Sequence, residues 1–189
     1  MSLLLMIFYW VGIPVLILSV ARGLFRRATA PVQRALVVVA SIGGLLGWFW
    51  VVAGEKLWLD HQVRELCAKD GGVRVFETVK LPADKFNQWG QPNFYNPTKG
   101  ENALGPEYTY KNENVYLHEG NPEIRRDHVR IYQKLDQKLL GEVVTYIRGG
   151  GDLPGPWQPS AYHCPNALEA NEIVLMSKIF SKSIEGDKK

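Results

Sequence analysis

The chain has 189 residues, 46% of them hydrophobic and 22% charged, and a formal net charge of +3. The charge is lopsided: Arg22, Arg26, Arg27 and Arg34 are the only charged residues in the first 54, which leaves 18 basic against 19 acidic side chains in the remaining 135. A near-neutral larger part offers no basic footprint for nucleic acid, and no nucleic-acid partner is expected.

Residues 3–21 and 35–54 are two apolar runs without a charged side chain, each close to the ~20 residues that cross a bilayer as a helix. They predict a transmembrane helical hairpin over 1–54 with a cytoplasmic loop at 22–34. The lipid bilayer is thus the first expected partner. Short arginine-rich loops stay on the cytoplasmic side, so Arg22, Arg26, Arg27 and Arg34 place both termini on the other face. In a bacterium the reading is a multi-pass inner-membrane protein whose N-terminus and C-terminal domain are periplasmic. Ser19-Val20-Ala21 resembles a signal-peptide cleavage site. The amino end lacks a basic residue, however, and cleavage would leave the arginines on the wrong side of the second span. Ala40, Gly43, Gly44 and Gly47 form a small-residue seam for close helix packing, either against the first span or between two copies.

Residues 55–189 read as one α+β domain. Residues 55–70 are a helix with Leu59, Val63, Leu66 and Cys67 on one face, ended by Gly71-Gly72. Residues 73–80 alternate as a single strand. Residues 82–106 lose all periodicity and mix Gly, Pro and Asn with Phe86, Trp89, Phe94 and Tyr95. Long aperiodic loops are either functional or folded back onto the core. Residues 108–119 are a strand, and 129–148 form an antiparallel hairpin turning at Asp136-Gln137, with a second arm apolar on both faces. Residues 152–165 are irregular and proline-rich around Trp157 and Tyr162, and 167–181 predict a final helix with Leu168, Val174 or Leu175, and Ile179 inward. The sum is a small antiparallel sheet of three or four strands with flanking helices.

Only two cysteines exist, Cys67 and Cys164. In an oxidising compartment they allow a single intramolecular disulfide, which would anchor the irregular 152–165 stretch to the first helix. The alternative is a small thiol- or metal-dependent envelope enzyme using Cys67, His163 and Cys164. Against it, His61, His118, His128, His163 and the two cysteines show no C-x-x-C or H-x-x-x-H spacing. No nucleophile elbow, phosphate loop or H-E-x-x-H is present either. No cofactor or metal is expected.

The phrases Cys67-Ala-Lys-Asp-Gly-Gly-Val, Gln91-Pro-Asn-Phe-Tyr-Asn, Gly105-Pro-Glu-Tyr, Gly150-Gly-Asp-Leu-Pro-Gly-Pro-Trp157 and His163-Cys-Pro resemble uncharacterised proteobacterial inner-membrane proteins. That resemblance spans most of residues 55–189. It implies a bacterial envelope location and carries no activity. The functional expectation is a non-enzymatic, membrane-anchored interaction or assembly protein. It would bind another membrane or periplasmic protein, or an envelope component, through Phe86, Trp89, Phe94, Tyr95, Trp157 and Tyr162, residue types that favour interfaces.

Overall fold

The computed structural model describes residue 4, residues 7–151 and residues 160–183. It divides into two compact units, Met1–Leu59 with Gly150–Ser160, and Asp60–Gly149 with Ala161–Lys189.

The first unit contains two apolar helices. Helix α1, Phe8–Arg27, starts with a π-helical turn, and helix α2, Pro31–Phe49, ends in another at Trp50–Gly54. Both helical runs, Phe8–Arg27 and Pro31–Asp70, are long and apolar enough to cross a membrane, with mean hydropathy 1.7 and 2.2 over their most apolar 18 residues. The expected loop at 22–34 is mostly helix: residues 28–30 alone separate α1 from α2, because arginine is a good helix former. Pro31 sits at the start of α2, where its missing N–H leaves no bond unmade. The Gln33 carboxamide oxygen accepts from the Thr29 and Ala30 N–H groups at 3.2 and 3.4 Å. Between the helices, the Trp48 indole donates to the Tyr9 carbonyl at 3.2 Å and packs edge-on to Trp10. The small-residue seam divides. A Cβ on Gly44 would stand 3.8 Å from an Ile17 methyl of α1, whereas one on Gly43 or Gly47 would meet nothing within 4 Å among the described residues. Ala40 shares a surface groove with Ile17 and Leu16.

Helix α3, Glu55–Asp70, matches its predicted bounds, and Val63 and Cys67 are buried along its apolar face. The larger unit is built on a five-stranded antiparallel sheet. Its strands are β1 (Gly72–Val75), β3 (Tyr108–His118), β4 (Glu123–Gln133), β5 (Leu139–Gly149) and β6 (Ala161–Cys164). The order is β1-β5-β4-β3, with β6 also on β5. One edge of β5 is divided between two short strands: β1 pairs with Gly141–Val144 and β6 with Tyr146–Gly149. The expected three or four strands become five because β6 lies in the proline-rich stretch, where four residues are too few to show a period.

The single strand expected at 73–80 is also two strands. At the β4–β5 bulge, the Leu140 carbonyl accepts from both Phe76 N and Glu77 N, which turns the chain off the sheet. Strand β2 (Val79–Leu81) then pairs in parallel with β7 (Phe180–Lys182) in a separate two-stranded sheet. The final helix is shorter than expected. Asn166 organises a turn over 166–170, and the Asn171 side chain accepts from Val174 N to cap α4, Glu172–Ile179. Leu168 falls in that turn and is 84% exposed, not part of the buried stripe.

The two faces of the sheet follow from strand alternation. One face carries Arg126, Tyr146, Arg148 and Cys164, which meet α3. Asp70 accepts from Arg126 and the Tyr146 hydroxyl, Asp60 pairs with the buried Arg148, and Cys67 is disulfide-bonded to Cys164. The other face carries Tyr108, Tyr110, Val129, Ile131 and Val143, which form the main core with Leu175, Met176, Ile179 and Phe180. Gly141 permits this packing. A Cβ there would stand 2.9 Å from the Arg74 carbonyl and 3.0–3.1 Å from the Ile179 and Leu175 methyls.

The disulfide joins the last turn of α3 to the end of β6, where β6 and β1 abut along β5. Its 97-residue separation constrains a large loop in the unfolded chain. Replacing Cys67 and Cys164 by Ser is expected to lower stability by about 4 kcal/mol. The check is the urea midpoint of the full-length protein in detergent, which should fall in the variant and in reduced wild type alike.

Candidate functional site

The main core covers only half of its sheet face. Along β3 the inward residues run Tyr108, Tyr110, then Asn112 and Asn114. Along β4 they run Ile131, Val129, then Asp127 and Arg125, and along β5 Val143 gives way to Thr145. The change from apolar to polar falls at neighbouring positions on all three strands, since Asn114, Asp127 and Thr145 are direct cross-strand partners. Ile147 and His163 of β6 complete the next row. Over this polar half lies a cleft of about 510 Å³, walled by Ala167, Ala170, the cap residue Asn171 and the first residues of α4, Glu172 and Ile173.

Two charged groups in the cleft are held in place. The Arg125 guanidinium lies 2.7 Å (Nε) and 3.1 Å (Nη2) from the two carboxylate oxygens of Asp127, and this bond raises the arginine pKa further. Glu172 accepts the Tyr95 hydroxyl at 3.1 Å on one oxygen and the Tyr110 hydroxyl at 2.8 Å on the other. Burial, reinforced by the Glu172 charge, pushes Tyr95 up to about 12, and Tyr110 is raised by the same causes. Asn112, Asn114, Thr145 and His163 make no side-chain hydrogen bond or ion pair among the described residues, so their donors and acceptors are open to the cleft.

The residues singled out in the sequence are dispersed. Phe94 stacks on Tyr108 and meets Phe180 edge-on at 5.6 Å, and Tyr95 packs on Tyr110, so both rings belong to the core. Phe86 also packs against the core, with Lys182 over its ring. Trp89 is different. The Asn87 side chain accepts from Trp89 N and Gln91 N and donates to the Gln91 carboxamide, and the turn it organises presents the indole 74% exposed. Tyr162, on β6, lies under the Arg64 guanidinium at 5.9 Å. Trp157 lies outside the described residues.

Cys67 and Cys164 are joined to one another, and His163, although next to Cys164 in sequence, points to the opposite face of the sheet. A catalytic thiol–imidazole pair is not formed. No group of three or more His, Cys, Asp or Glu suited to a metal occurs among the described residues. No protein-family model matches the chain, and comparison with curated proteins and with solved structures likewise gives no match.

The cleft residues were missed because register brings them together. A signal for them exists, though: the alternate positions of β3, β4 and β5 each change from apolar to polar partway along.

Placement separates the aromatic side chains by consequence. Phe94→Ala should cost about 3 kcal/mol, as core aromatics do, while Trp89→Ala should stay within about 0.5 kcal/mol. Denaturant titration of both variants checks this. The tyrosines add a pH dependence. A phenol whose folded pKa lies above its unfolded value of 10.0 contributes stability that is complete below pH 10 and lost as pH rises through about 12. Alkaline destabilisation over that window should be shallower in Tyr95→Phe.

Proposed function

We propose that this chain is a membrane-anchored, non-enzymatic binding protein of a bacterial envelope. In this reading α1 and α2 cross the inner membrane, the helix ends bearing Arg22, Arg26, Arg27 and Arg34 and the short turn between them stay cytoplasmic, and the larger unit lies in the periplasm. The observation that carries the reading is the pairing of two apolar helices with a disulfide in the following domain, Cys67–Cys164. Structural disulfides persist in oxidising compartments, and the arginines favour the same side for that domain. The resemblance to proteobacterial inner-membrane proteins supports the same compartment.

The bound partner is another membrane or periplasmic protein, or an envelope component. The contact surface is narrower than the aromatic content suggests, because Phe94 and Tyr95 are held in the core. Trp89 supports it best. Its side chain is large, exposed and held on a turn with five hydrogen bonds around Asn87, so little conformational freedom is lost on contact. Tyr162 is the second candidate. A thiol enzyme has less support, since both sulfurs are in the disulfide.

Thiol alkylation in intact cells with a membrane-impermeant mass tag tests the location. Labelling of Cys67 and Cys164 only after reduction, and from outside the inner membrane, is the expected result. Labelling without reduction, and only once the inner membrane is opened, would reverse the topology and free the thiols. For the surface, Trp89→Ala should reduce recovery of a cross-linked partner at least several-fold without moving the unfolding midpoint. Unchanged recovery would remove Trp89 from the interface.

A further inference from the structure

We propose that the polar half of the sheet face is a binding cleft for a neutral oligosaccharide. The proposal goes beyond the aromatic-surface reading and uses none of its residues, so the two fail separately.

The cleft offers what a sugar ring needs and little else. Asn112 and Asn114 of β3 and Thr145 of β5, on either side of Asp127 in β4, present amide and hydroxyl groups without side-chain partners among the described residues, each able both to donate and to accept. Vicinal hydroxyls have the same dual character, and planar side-chain amides and carboxylates can meet two of them at once. Val129, Val143 and Ile147 lie among these polar rows and give the C–H faces of a ring an apolar floor. The volume, about 510 Å³, lies within the roughly 300–1,000 Å³ typical of ligand sites.

Charge narrows the ligand class. Asp127 and Glu172 outnumber Arg125, and the Arg125 fork is already engaged by Asp127. Phosphate or carboxylate ligands would meet net negative charge, with the one guanidinium among the described lining residues already paired. Order matters as well. Glu172 is fixed by two tyrosine hydroxyls and Asp127 by Arg125, so acceptor groups stand in position before a ligand arrives. A peptide is disfavoured on geometry: an extended chain pairs with an open strand edge, here the outer edge of β3, whereas this site is a sheet face that offers side chains only.

The test uses full-length protein in detergent micelles and isothermal titration with the N-acetylglucosamine tetramer, with tetragalacturonate as the anionic comparator. Saturable binding of the neutral tetramer is expected, at least tenfold tighter than that of the acidic one. Asn114→Ala and Asn112→Ala should each weaken it about tenfold. Neither side chain has a hydrogen-bond or ion-pair partner among the described residues, so both variants should keep the wild-type unfolding midpoint. Trp89→Ala should bind the tetramer as wild type does. Absence of saturable binding by the wild type, unchanged affinity in both asparagine variants, or preference for tetragalacturonate would overturn the proposal.

Discussion

Strand β5 is the member on which the larger unit depends, and the difficulty it solves is one of edges. One side pairs along its length with β4, but the other is shared by β1 and β6, two four-residue strands from distant parts of the sequence. Strands that short hold few ladder bonds each, and neither would stay on the edge for long by itself. The Cys67–Cys164 bond is placed where the two meet, in the last turn of α3 and at the end of β6. By tying α3 to β6 it fixes the helix that leads into β1 and the strand that abuts it, so one covalent link closes the edge. The buried Arg148–Asp60 pair and the Asp70–Arg126–Tyr146 cluster fasten α3 to the same face at either side of that link.

With α3 fixed on one face, the opposite face becomes the variable part of the architecture. Its apolar half is sealed by α4, by Phe180 and by the aperiodic segment that returns Phe94 and Tyr95 to the core. The seal stops at α4's first turn, where Glu172 is held by Tyr95 and Tyr110 at the border between dry core and open cleft. One carboxylate thereby anchors the helix start and the aromatic segment together. Withdrawing even a half-buried carboxylate from water is costly unless it is hydrogen-bonded, and the two phenols meet that requirement. The same arrangement leaves the polar rows of β3, β4 and β5 uncovered. The cleft is thus a consequence of α4 being only eight residues long.

The aromatic residues illustrate how one composition serves two ends. Phe94 and Tyr95 lie within a few residues of Trp89, in a stretch with no helix or strand period, yet the first two are packed and the third is presented to solvent. The difference is local hydrogen bonding. Asn87 closes a tight turn around Trp89 and carries the indole away from the core, whereas the chain beyond Pro92 runs back across Tyr108 and Tyr110.

The sequence by itself determined whatever depends on local pattern. The two apolar helices, the amphipathic face of α3 with Val63 and Cys67, strand β3, the β4–β5 hairpin from Val129 onward and its turn at Asp136-Gln137 were legible, because hydrophobic periodicity and turn chemistry act over a few residues, whereas the polar start of β4 at 123–128 was not. The pairing of the cysteines was legible by count. Register and competition for backbone bonds settle the rest, and neither is visible along the chain. The bulge at Leu140 split an apparently continuous strand into β1 and β2, and Asn171 rather than Ala167 started the last helix. Four residues around Tyr162 became a strand because β5 had an open edge to receive them. The cleft belongs to this second group. Asn114, Asp127 and Thr145 are far apart along the chain, and no spacing rule joins them. They share a row because the hairpin register and the β3–β4 pairing place them side by side.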